Sequence, residues 1–128
     1  MEKVATLTVL VEELFSDLDA ERFERISQQA TDDVQGVDEI SRRWLRGRPA
    51  MDGYFDGLRG KIAGIRSTFT DAHESEWGDV GLVTGTLEQT YSLAGQGQTL
   101  VAPTSILFRR EGGTWKLALV HSVPLPEA

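Results

Sequence analysis

The chain has 128 residues, enough to bury one core without staples, and it has no cysteine, which excludes disulfides, thiolate nucleophiles and thiolate metal sites. Hydrophobic residues make up 40% and charged residues 26%, the balance of an ordinary globular protein rather than a disordered one. The net charge of −7 repels a phosphate backbone and no basic cluster offsets it, so nucleic acid is excluded as a partner.

The first thirty residues carry acids throughout and lack a continuous apolar core. They read as neither a signal peptide nor a membrane span, so a cytoplasmic location with no membrane partner is expected. Val4, Leu7, Val11, Leu14 and Leu18 recur every three or four positions, which predicts an amphipathic helix, with Phe15 widening its stripe. A break near Asp19 leads to a second short helix with Phe23 and Ile26 on one face. The TDD at 31–33 reads as a turn before a strand through Val34 and Val37. Pro49 suits a first helical turn, where its missing N–H has no partner to lose. Met51, Tyr54, Phe55 and Leu58 follow at helical spacing, and Gly60 and Gly64 end that helix.

From about Ile65 the period becomes extended, with strands expected at 65–77, 79–93, 99–110 and 114–123. The short turns at 78–79, 94–97 and 111–113 make neighbouring strands antiparallel. Helices first and strands later is the α+β pattern: N-terminal helices packed against a curved antiparallel sheet. No linker, repeat or low-complexity stretch interrupts the chain, so residues 1–128 are expected to form one domain.

Two stretches resemble a known family. TDDVQGVDEISRRWLRGRPAMDGYF (31–55) resembles the turn, strand and helix of the ketosteroid isomerase and SnoaL-like branch of the nuclear transport factor 2-like superfamily. GDVGLVTGTLEQTYSLAGQGQTLVAPTSILFRREGGTWKLALVHS (78–122) resembles its terminal hairpins, with RREGGTWK at the last turn and His121 six residues after Trp115. The calmodulin-dependent kinase association domain has a similar ending. The resemblance implies a cone-shaped α+β barrel, a bent sheet wrapping helices with a pocket at its open end, and homodimers formed through the outer sheet face. It matches Asp38 in GVDEI to the family's general base. The family's oxyanion tyrosine falls at Leu14 and its oxyanion acid at Ser105, so neither donor is in its place. Losing one such donor typically costs about 3–4 kcal/mol, which argues against authentic steroid isomerisation.

Asp38 needs a partly desolvated pocket to accept protons near neutral pH; otherwise it, or Glu39, is a turn residue held by backbone donors or nearby arginines. His121 has the parity of Trp115, Leu117 and Leu119, which places it on the apolar face as a second candidate catalytic group. It also reads as a core histidine, or as a dimer-face residue if a bulge shifts the register. Trp44, Tyr54, Gln89 and Tyr91 are candidate substrate-binding walls, and Ser105 a pocket hydroxyl without a nucleophile elbow. Gln89 shares the parity of Val83, Leu87 and Tyr91, and a buried amide requires partners. A β-bulge would exchange the two faces. His73 sits among acids as a surface residue, and two distant histidines give no metal-ligand spacing, so neither a metal nor a cofactor is expected. Two functions remain open: a cofactor-free pocket moving a proton on a small apolar carbonyl ligand, or a non-catalytic association domain. A homodimer is expected in both.

Overall fold

A computed structural model describes residues 6–126. Helix α1 (Thr6–Asp19) buries Leu7, Val11 and Phe15, while Leu14 and Leu18 are half-buried; Val4 lies outside the described residues. Its buried Asp17 meets Arg22 at 2.9 Å and Arg25 at 3.4 Å, so the corner into α2 (Phe23–Gln28) is held by ion pairs rather than by a cap. Helix α3 (Arg48–Leu58) starts where Gly47, at φ 87°, lends its N–H to the Val34 carbonyl, a backbone angle that favours glycine. Phe23 stacks on Phe55 at 4.7 Å, joining α2 to α3. No described helix is long and apolar enough to cross a membrane.

Strands β1 (Ala30–Val37), β2 (Leu45–Arg46), β3 (Ile62–Trp77), β4 (Val80–Leu93), β5 (Gln96–Glu111) and β6 (Thr114–Ser122) form one sheet in the order β2-β1-β6-β5-β4-β3. The helices pack on one face of this curved sheet, the α+β architecture expected. Two features refine that expectation. The early strand β1 pairs in parallel with β6, so the sheet is mixed. Its edge strands β2 and β3 do not meet, so the cone stays open. Ala94 and Gly95, both at positive φ, make a two-residue turn, which lets β5 begin at Gln96 rather than 99.

On β5 the even positions Leu100, Ala102, Thr104, Ile106 and Phe108 are buried and face the helices. Thr104 is therefore an inward residue, hydrogen-bonded to Ser122 at 3.0 Å. Register shifts in β3 and at Ala118 of β6 bend the sheet around the helices.

Candidate functional site

Between the helices and the concave face lies a cavity of about 120 Å³, partly open to solvent. An apolar cavity of about 150 Å³ accepts benzene, so this one is of the size of a single small ring. Leu14 and Leu18 of α1, Met51 of α3, Ile65 of β3 and Val120 of β6 supply much of its wall. Polar residues interrupt the apolar lining: Gln35, Asp38, Ser41, Tyr54 and Gln89.

Asp38 stands where β1 ends and the chain turns toward β2. Its Oδ1 accepts the backbone N–H groups of Ile40 at 3.0 Å and Ser41 at 2.8 Å, which fixes the turn. Its Oδ2 accepts the Tyr54 hydroxyl at 2.8 Å. The side chain is at once a turn cap and a cavity carboxylate, so the two readings of Asp38 are compatible. Glu39, the next residue, accepts the Tyr91 hydroxyl at 3.1 Å. Burial and the neighbouring Asp38 charge push the Glu39 carboxyl above the usual range. Both phenols are raised well above their ordinary value, first by burial and then by these carboxylates. Tyr54 and Tyr91 are therefore neutral donors at any working pH, never phenolate bases.

Gln89 is buried on β4, with its Nε2 donating to Ser67 Oγ at 3.0 Å. Ser67 in turn donates to Asp19 at 2.6 Å. Among the described residues no cluster of three or more His, Asp or Glu side chains is grouped for a metal ion.

The model of the SnoaL-like domain matches residues 8–126. The chain belongs to the SnoaL-like domain family. Among curated protein sequences none matches significantly. Solved structures share this fold, one of them described as of the NTF2-like family. A candidate dehydratase of the NTF2-like family from Streptomyces avermitilis superposes with a TM-score of 0.83 at 22% identity, covering 94% of each chain. The CaMKII hub of S. rosetta gives 0.81 at 15% identity, over 98% of each chain. A ketosteroid isomerase-like protein from Erwinia carotovora atroseptica gives 0.81 at 13% identity, also over 98% of each.

In this SnoaL-like domain the expected site residues divide into two groups. Asp38, Tyr54 and Gln89 share the cavity. His121, Ser105 and Trp44 do not. Leu107 pairs with Leu119 but Phe108 with Leu117, so Ala118 is the extra residue of a bulge. Beyond it parity reverses: Val120 pairs with the inward Ile106, and His121 with Ser105 on the outer face. The expectation that His121 and Ser105 line the pocket is corrected accordingly. Trp44 is also outside, 44% exposed and tilted against His121 with ring centroids 5.8 Å apart. Tyr91 faces inward but is not part of the cavity wall, and its hydroxyl bonds Glu39. Sequence reasoning passed over Glu39, Ser67 and Asp19. Glu39 was visible only as the acid beside Asp38, and nothing local connects Asp19 with a serine 48 residues away.

Proposed function

We propose that this SnoaL-like domain binds a small, largely apolar carbonyl compound in the cavity and that Asp38 moves a proton on it. The observation that carries this reading is the Asp38–Tyr54 pair set into a largely apolar wall. A carbonyl oxygen entering beside Tyr54 competes for its hydroxyl. When the phenol turns to the ligand, Asp38 Oδ2 is released as an acceptor while Oδ1 stays held by two backbone N–H groups. Asp38 then takes the proton from the carbon next to the carbonyl, the electron pair moves onto the carbonyl oxygen, and Tyr54 hydrogen-bonds the resulting enolate. Returning the proton completes the cycle with no redox partner. Tyr54, on α3, thus supplies a donor that the family tyrosine position at Leu14 lacks.

An association role has its own support. Leu82, Leu107 and Leu119 form one row across the outer face, and hub domains are among the similar structures. We infer a homodimer through that face, compatible with an occupied cavity.

The test is exchange of α-protons of a cyclic enone in D2O, followed by proton NMR. Wild-type protein is expected to accelerate exchange, Asp38→Asn to abolish the acceleration, and Tyr54→Phe to reduce it by about 10²–10³. Asp38→Asn exchanging as fast as wild type removes Asp38 as the base. No acceleration by any form leaves the association reading alone.

A further inference from the structure

We infer that Gln89 presents its carbonyl oxygen to the cavity, so that the ligand carries a hydroxyl or N–H donor at a point distinct from its carbonyl. This rests on the cavity being the ligand site and adds the polarity of its second contact. Asp19, at the end of α1, accepts twice from Ser67: the backbone N–H reaches Oδ2 at 2.9 Å and the hydroxyl reaches Oδ1 at 2.6 Å. A carboxylate only accepts, and a serine hydroxyl has a single hydrogen. With that hydrogen given to Asp19, Ser67 Oγ is left as an acceptor only. The Gln89 amide must therefore turn its NH₂ end to Ser67, as the 3.0 Å Nε2 contact has it. The opposite end of the amide is Oε1, and no other hydrogen bond holds the Gln89 side chain among the described residues.

Gln89 is 7% exposed and lines the cavity, which leaves Oε1 able to meet a ligand there. A ligand donor that reaches this acceptor gains a hydrogen bond that an apolar or acceptor-bearing ligand does not. Along β4 it is two residues from Tyr91, whose hydroxyl bonds Glu39, the neighbour of Asp38. Gln89 bonds toward Ser67 and Asp19 while Tyr54 bonds to Asp38, so the acceptor is a separate polar point of the cavity from the Asp38–Tyr54 pair. The ligand class is a ring-sized carbonyl compound with a hydroxyl or N–H apart from that carbonyl. Ser67 and Asp19 touch no ligand; they are positioning residues that fix which end of the amide faces inward.

The relay makes an unusual substitution informative. In Asp19→Asn the new side-chain oxygen still takes the Ser67 backbone N–H, while its NH₂ donates to Ser67 Oγ. The serine hydrogen is then free to point at Gln89, which must flip and offer its NH₂ to the cavity. Indole and benzofuran are matched in shape and differ in a donor against an acceptor. Titration calorimetry is expected to give wild-type protein a preference for indole of about tenfold, the worth of one satisfied donor. Gln89→Leu should erase that preference and Asp19→Asn invert it. A ratio unchanged in both variants overturns the assignment while the cavity reading stands; failure of wild-type protein to bind either probe overturns both. Should Asp19→Asn not fold, NMR of the wild type decides: nuclear Overhauser contacts from the Gln89 amide protons to the Ser67 β-protons are expected, and their absence overturns the assignment.

Discussion

Glu39 carries no assigned chemistry, yet its surroundings are unfavourable to its charge. Burial opposes ionisation, the Asp38 carboxylate adjoins it, and only the Tyr91 hydroxyl and its own backbone N–H favour the anion. The net effect is a folded-state pKa above the ordinary 4.5. A raised folded value means that the stabilising contribution is fully present below the unfolded value and is lost as pH rises through the folded one. Glu39→Gln keeps an oxygen for Tyr91 and removes the ionisation. Its melting temperature is expected to match wild type near pH 4 and to exceed it at pH 7, by thermal melts run in parallel. A variant less stable than wild type at pH 7 means that the charged Tyr91–Glu39 hydrogen bond outweighs burial. Asp38 offers no such simple signature. Asp38→Asn retains an oxygen for the two turn N–H groups but loses the charge that receives the Tyr54 hydroxyl, so its stability reports on the turn and only proton exchange reports on the base.

At the scale of elements, the sequence pattern located the helices and long strands well because each has an apolar period of its own. Pro49 marked α3, and the tight turns marked the hairpins. Pairing between distant segments left no local trace. Nothing in residues 30–37 announces a parallel partner in β6. Residues 115, 117, 119 and 121 alternate cleanly as Trp, Leu, Leu and His, and only the register against β5 reveals that Ala118 breaks the alternation. That single residue moved His121 out of the expected site, whereas Ser105 lies outside by the regular alternation of β5, whose even positions face inward. β4 pairs with β5 without a bulge, so the parity argument for Gln89 matches its buried position. Curvature also depends on Gly85. A Cβ there would lie 2.6 Å from the Phe69 ring and 2.8 Å from the Thr70 carbonyl oxygen. Phe69 stacks on Phe15 of α1 at 5.8 Å, so its ring cannot retreat without disturbing the helix that roofs the cavity. Gly85→Ala is expected to cost about 1–3 kcal/mol in urea unfolding, the range for overpacking. A loss under about 0.5 kcal/mol would mean that the bulged part of β3 yields freely.

The whole molecule has two unlike sheet faces. The inner one closes on the helices, while the outer one leaves Val101 41% and Trp44 44% exposed. Leu82, Leu107 and Leu119 line up across β4, β5 and β6, followed by a row of Thr84, Ser105 and His121. This central area bears no carboxylate, although the chain carries 20 acidic residues. Charge begins at its ends, with Glu88 opposite Val101 on one side and Arg109 opposite Lys116 on the other. An uncharged, partly apolar face on a strongly acidic chain suits a self-complementary contact, because two copies meet there without bringing their net charge to the centre. Sedimentation equilibrium at micromolar concentration is expected to give twice the 14.1 kDa chain mass. Leu107→Lys places two buried charges close to the two-fold axis and is expected to yield the monomer while far-ultraviolet circular dichroism stays unchanged. A wild-type protein that sediments only at 14.1 kDa contradicts the dimer. A Leu107→Lys protein that remains dimeric shifts the contact to another surface and returns the outer row of leucines to solvent.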